Sequence, residues 1–185
     1  MAITFYKAWI KVPGVIFIAA LFLATSFDAL ALGPDKVTTY KDNNGWKLQV
    51  NGKDFYVKGV VWGYSPINEN YSYNLWGQPE EFIKKVIDKE FSLMKAANVN
   101  AIRTFSTMPT KWVTYVYQQY GIMTVINPLM GRYGATVGGV WRPLTDYSDP
   151  LTRETLKAEV LDTVKKYKET PGVLMIALGN ESNYG

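Results

Sequence analysis

Apolar and polar positions alternate from Trp46 to Asn51, and strand character resumes from Phe55 to Val61. Asn51-Gly52 between them is a two-residue hairpin signal. The second run, Phe55 to Trp62 (FYVKGVVW), becomes almost wholly apolar, as in a strand buried on both faces. The period then changes. Ile83, Ile87, Phe91 and Met94 recur at steps of four, four and three, while Lys84, Lys85, Asp88 and Lys89 fill the other face. That spacing predicts an amphipathic helix with Pro79 at its opening. Val99 to Phe105 reads as the next strand, Trp112 to Gln119 after Pro109 as a shorter helix, and Gly121 to Ile126 as another buried strand. Asn127 to Ser148 is a long glycine-rich loop carrying Tyr133, Trp141 and Tyr147. Asp149-Pro150 is a helix start, with Asp at the cap and Pro at the first position. Leu156, Val160, Val164 and Tyr167 mark that helix's apolar stripe. Pro171-Gly172 breaks it, and Val173 to Leu178 is the last strand.

Strands alternating with helices predict an α/β fold: a parallel sheet with helices outside, preceded by a short β-hairpin. A doubly wound sheet would place a glycine-rich phosphate turn after its first strand. Gly63-Tyr64-Ser65-Pro66 has no G-x-G-x-x-G pattern. The competing architecture is a (β/α)8 barrel, which takes about 250 residues. About four βα units are visible, so the expectation is a partial barrel.

The N-terminus changes where that count begins. Lys7 and Lys11 precede an uncharged stretch from Gly14 to Phe27, followed by Ala29-Leu30-Ala31. This is the three-part pattern of a secretory signal peptide cleaved after Ala31, with an uncleaved anchor as the alternative. The expected organisation is a signal peptide over 1–31, a lead-in over 32–46 and the barrel segment over 47–185. The expected location is outside the cytoplasm, secreted or periplasmic, with no stable membrane span after cleavage. The whole chain holds 20 Lys and Arg against 16 Asp and Glu. Without Lys7, Lys11 and Asp28 the balance becomes 18 against 15, too mild and too dispersed to suggest a nucleic-acid partner.

Composition narrows the chemistry. The 185 residues include no Cys and no His. Disulfides, thiol nucleophiles, Ser-His-Asp triads and imidazole or thiolate metal sites are therefore excluded. Acid–base catalysis falls to carboxylates, Tyr or Lys. No metal or other cofactor is expected. Six Trp and thirteen Tyr favour aromatic-lined binding surfaces as well as a packed core.

In βα folds the site lies at the C-terminal ends of the strands. Those ends supply Trp62 and Tyr64, then Arg103, Phe105 and Ser106, then Asn127, Arg132 and Tyr133, then Asn180 and Glu181. A carboxyl group beside aromatic walls loses solvent, which favours its protonated form and suits a general acid. Aromatic faces also stack on the C–H faces of sugar rings.

Pro171 to Gly185 (PGVLMIALGNESNYG) resembles the strand-four signature of glycoside hydrolase family 2, which includes β-galactosidases, β-glucuronidases and β-mannosidases. Asn51 to Gly59, Phe91 to Thr104 and Tyr115 to Ile126 resemble, in order, the lead-in to the first barrel strand, helix one with strand two, and helix two with strand three. The resemblance covers roughly residues 47–185. It implies a carbohydrate substrate, a retaining mechanism and Glu181 as the acid/base. Asn180 would bond the sugar 2-hydroxyl, and Arg103 would face the nucleophile carboxylate. Trp62, Tyr64, Phe105, Tyr133 and Trp141 would be sugar contacts. The segment after strand three, Asn127 to Gly134, departs from relatives that carry acidic residues and a His there. The resemblance also places the nucleophile Glu on strand seven, beyond the four strands read here. Alternatives left open are an inactive truncated product, a sugar-binding module and a β-glucanosyltransferase-type transglycosylase. The oligomeric state is not legible.

Overall fold

The computed structural model describes residues 33–105 and 107–181. The signal peptide expected over 1–31 and the site candidate Ser106 lie outside the described residues. Strands β1 (Val37–Asp42), β2 (Gly45–Val50) and β3 (Lys53–Asp54) form an antiparallel sheet in that order. Asn51 and Gly52 turn β2 into β3 at φ 52° and 78°, the double positive φ of a type I′ turn. The anticipated turn is there, but its second strand is only two residues long. Beyond Phe55 the chain bonds elsewhere: Lys58 N donates to Asn100 Oδ1 at 2.8 Å, and Asn100 Nδ2 donates to the Tyr56 carbonyl at 2.8 Å. The 32–46 segment contributes the whole of β1. Its alternation is hard to read because Thr38, Thr39, Lys41 and Asp42 outnumber its apolar positions.

The main sheet is parallel and four-stranded. It comprises β4 (Gly59–Trp62), β5 (Ala101–Thr104), β6 (Met123–Ile126) and β9 (Val173–Ile176), in the spatial order β4-β5-β6-β9. Helix α1 (Glu80–Ala96) joins β4 to β5, α2 (Thr110–Tyr120) joins β5 to β6, and α3 (Pro150–Tyr167) precedes β9. The predicted period holds in α1, where Ile83, Val86, Ile87 and Phe91 are buried. They join Ile102 and Ile126 from the sheet and Trp112, Val113 and Val116 from α2 in one core. Fully burying each such side chain contributes about 1.5–3 kcal/mol. Gly121 ends α2 at φ 68°, the left-handed cap that glycine takes without steric cost. Asp149 caps α3, accepting from Leu151 N at 3.4 Å and Thr152 N at 3.2 Å, with Pro150 in the first turn.

Two expectations change. The long loop after β6 contains a hairpin, β7 (Ala135–Val137) and β8 (Val140–Arg142), turned by Gly138 and Gly139 at φ 59° and 79°. The stripe on α3 is only partly covered: Leu156 and Tyr167 are buried, but Val164 is 36% exposed. Leu156 packs with Ala135 and Val137, so the start of α3 rests on this hairpin.

A second core lies at the other end of the sheet. Ala101, Met123 and Leu174, near the starts of their strands, pack with Val37, Leu48 and Val50 of the small sheet. The small sheet thus covers the N-terminal ends of the parallel strands and leaves their C-terminal ends open. No helix among the described residues is long and apolar enough to cross a membrane.

Candidate active site

The open end holds the chemistry. A cleft of about 1000 Å³ lies there, lined by Asn180 and Glu181 after β9, Leu129 and Tyr133 after β6, Phe105 after β5, and the loop after β4. Strand geometry decides which side chains reach it. Paired residues of neighbouring parallel strands share a face, so Val61, Arg103, Val125 and Met175 form one row. Trp62, one residue on, faces the helices.

Arg103 is the organising cation. Its Nε and Nη2 donate to Asn127 Oδ1 at 3.0 and 2.7 Å, and Nη2 also donates to Asn180 Oδ1 at 2.8 Å. Asn180 Nδ2 continues the chain to the Tyr133 hydroxyl at 3.3 Å. Asn127 and Asn180 are both buried, so these bonds satisfy amides that would otherwise cost about 1–3 kcal/mol each. The network fixes the Asn180 amide with its oxygen toward Arg103, leaving one Nδ2 proton for a ligand. The Arg103 guanidinium also lies 5.3 Å from the Phe105 ring centroid.

Glu181 follows at φ 51°, after Gly179 at φ 99°. A left-handed glutamate costs about 1 kcal/mol or more, and such strain clusters at functional positions. Its side chain lines the cleft but is exposed. This corrects the expectation of a carboxyl walled in by aromatics. The aromatic lining comes mainly from the loop after β4, and among the described residues nothing closes over the carboxylate.

The other candidates divide. Tyr64, Phe105 and Tyr133 line the cleft. Trp62 borders it but is buried, with its ring 5.0 Å from Phe91 and its indole Nε1 donating to Glu90 of α1 at 2.6 Å. It is a core residue, because its place in the strand turns it toward the helices. Trp141, on β8, does not line the cleft and packs against Gly134. Arg132 lies over the Tyr133 ring at 5.5 Å, and its Nε is buried without a partner among the described residues. Asn127 joins the site through Arg103, a role its position at a strand end allowed but did not specify. Tyr71, Tyr73 and Trp76 also line the cleft and were missed. Their signal was the aromatic density of the segment from Gly63 to Trp76, which carries no regular period.

The comparisons with known proteins bear on the family and the fold. The family model described as glycosyl hydrolases family 2, TIM barrel domain, matches residues 42–185. The chain belongs to glycosyl hydrolase family 2. A β-galactosidase of Actinobacillus pleuropneumoniae is 25% identical over a region covering 52% of this chain and 12% of that protein. Among solved structures, a β-glucuronidase from Parabacteroides merdae has a TM-score of 0.51 at 15% identity, covering 80% of this chain and 16% of that one. An exo-chitosanase of Amycolatopsis orientalis has a TM-score of 0.51 at 14% identity, covering 77% and 15%. These structural likenesses carry the fold. The chain spans less than a fifth of the length of each of these relatives. For a family 2 TIM-barrel segment, the open C-terminal end of the sheet is the face where the active site is built.

Proposed function

We propose that this chain forms the first four strands and three helices of the catalytic barrel of an exported retaining β-glycosidase, with Glu181 as its general acid/base. The observation that supports this best is the wiring at the end of β9. Asn180 is held by Arg103 and Tyr133, and Glu181 stands next to it on the cleft. Glu181 would give its proton to the departing glycosidic oxygen. A carboxylate on the seventh strand of the complete barrel, about 5–5.5 Å away, would attack the anomeric carbon. Glu181 would then take a proton from the water that releases the sugar. The spare Asn180 amide proton is directed to the sugar 2-hydroxyl, a contact that strengthens in the transition state. Arg103 has an Nη1 without a partner among the described residues, available to hold the nucleophile ionised. Export rests on Lys7, Lys11, the apolar Gly14–Phe27 stretch and Ala29-Leu30-Ala31.

Turnover of a panel of aryl β-glycosides by the full-length protein and its Glu181→Gln variant tests the reading. Loss of the acid/base should lower kcat by about 10²–10⁴-fold with thermal unfolding preserved. Equal turnover by the two proteins removes Glu181 from the mechanism.

A further inference from the structure

The loop joining β4 to α1 runs from residue 63 to residue 79, seventeen residues in all. A 3-10 turn at Leu75–Gly77 follows twelve irregular residues, and irregular stretches approaching about 12–15 residues in compact folds are uncommon and usually carry function. This one is braced throughout. Ser65 Oγ donates to the Asn70 carbonyl at 2.9 Å, and Ser72 N and Oγ donate to Asn70 Oδ1 at 2.9 and 2.6 Å. Asn74 Oδ1 accepts from Gly77 N at 3.2 Å. Tyr64 meets Tyr73 edge-on at 5.9 Å, and Trp76 lies 6.1 Å from Trp62. Tyr64, Tyr73 and Trp76 thus have structural work.

Tyr71 is different. It sits inside this braced segment, lines the same cleft as Asn180 and Glu181, and is 98% exposed. At that exposure the whole ring face is free to meet a ligand in the cleft. Held on a rigid loop, it offers a flat apolar face at little cost in conformational entropy on binding. A sugar ring presents the matching surface: axial C–H groups on its face and hydroxyls at its edge.

We infer that Tyr71 is a stacking platform for a second sugar ring, so that the cleft takes a β-linked oligosaccharide and not only a terminal unit. This rests on the glycosidase reading and names its substrate class. The platform is continuous with the acid/base site through one cleft, which is why the second ring belongs to the same chain as the first.

The test uses the full-length protein carrying Glu181→Gln, so that binding is read without turnover. The probes are the monosaccharide and the β-linked di-, tri- and tetrasaccharides of whichever sugar the aryl β-glycoside panel favours, or of glucose if none is turned over. Calorimetry should show affinity rising with chain length. Adding Tyr71→Ala should lower the affinity of the disaccharide and the longer sugars about three- to tenfold, the range of an aromatic contact, and leave monosaccharide affinity unchanged. Tyr71→Phe, which keeps the ring, should retain the length dependence, and neither change should move Tm. Affinity independent of length, or equal losses at every length in Tyr71→Ala, the monosaccharide included, overturns the platform. The acid/base assignment stands or falls separately, on whether Glu181→Gln itself abolishes turnover.

Discussion

The value of Arg103 lies in its shape as much as its charge. Two of its nitrogens make three bonds to two buried amides, an arrangement that a planar fork satisfies and a single ammonium does not. Arg103→Lys should therefore release Asn180 while keeping the positive charge. Losing one charge-assisted bond, at about 1.5–3 kcal/mol, predicts a fall of roughly ten- to a hundredfold in kcat/KM for an aryl β-glycoside. The change should appear mainly in kcat, because the contact proposed for Asn180 is of the kind that tightens in the transition state. A purely structural role would instead lower Tm and leave the kinetics of the folded fraction intact. Strand-end position made it legible that Arg103, Asn180 and Glu181 gather at one end of the sheet, since position in a parallel strand determines which end a residue reaches. Trp62 borders the cleft from the core side and Trp141 lies outside its lining, for a related reason. Nearness to a strand end does not specify which face a side chain takes, and the pairing of Trp62 with Thr104 became visible only with the register. Tyr71 lay in a segment without a period, where pattern carries no information about placement.

Helices α1 and α2 are clasped by one carboxylate. Asp88 accepts from Lys84 at 2.5 Å, from the Tyr115 hydroxyl at 2.6 Å and from the Tyr120 hydroxyl at 2.7 Å. Burial pushes the Asp88 carboxyl up, but these donors outweigh it and hold it below its ordinary value of 3.8. A carboxyl lowered in the folded state contributes stability above its unfolded pKa and loses it as pH falls through the folded value. The clasp should therefore be intact at neutral pH and fail only below about pH 4. Asp88→Asn should lower stability at pH 7 by about 1–2 kcal/mol, discounted for partial exposure, and the deficit should shrink in acid. Denaturant melts of both proteins at pH 7 and pH 3 measure it; a deficit unchanged by pH would remove the charge from the explanation. Helices of this kind were legible because their period and caps agree: Ile83 to Phe91 on α1, and Asp149-Pro150 opening α3. β1 was not, because its polar positions mask the alternation. The β7–β8 hairpin was hidden because its strands are three residues each, and its Gly138-Gly139 turn signal was absorbed into a glycine-rich loop.

The described residues are joined at Asp35 and at two tyrosines, half-buried Tyr117 and buried Tyr167. Asp35 accepts from Asn51 Nδ2 at 2.7 Å, from the Tyr117 hydroxyl at 2.7 Å and from Gly172 N at 2.9 Å. One carboxylate thereby ties the N-terminal segment to the small sheet, to α2 and to the turn before β9. Gly172 has φ 86°, and a Cβ there would run into Tyr117, so this junction has no room for a side chain. Burial, followed by the bond to Asp35, pushes the Tyr117 hydroxyl up to about 12. Burial likewise pushes Tyr167, whose hydroxyl donates to the Met108 carbonyl at 2.5 Å, up to about 12. A tyrosine whose pKa is raised on folding contributes stability that is complete below its unfolded value of 10.0 and lost as pH rises through the folded one. Both joints should therefore hold to pH 10 and open between pH 10 and about 12. Tyr117→Phe removes the ionisable hydroxyl but leaves Asp35 short of a donor. It should be less stable than the parent at pH 8, and the gap should narrow above pH 10. Thermal melts across that range, read beside tyrosinate absorbance, decide it. A tyrosinate signal that rises at pH 10 for every tyrosine, with no accompanying loss of Tm, would show that these hydroxyls do not hold the small sheet, α2 and the turn before β9 together.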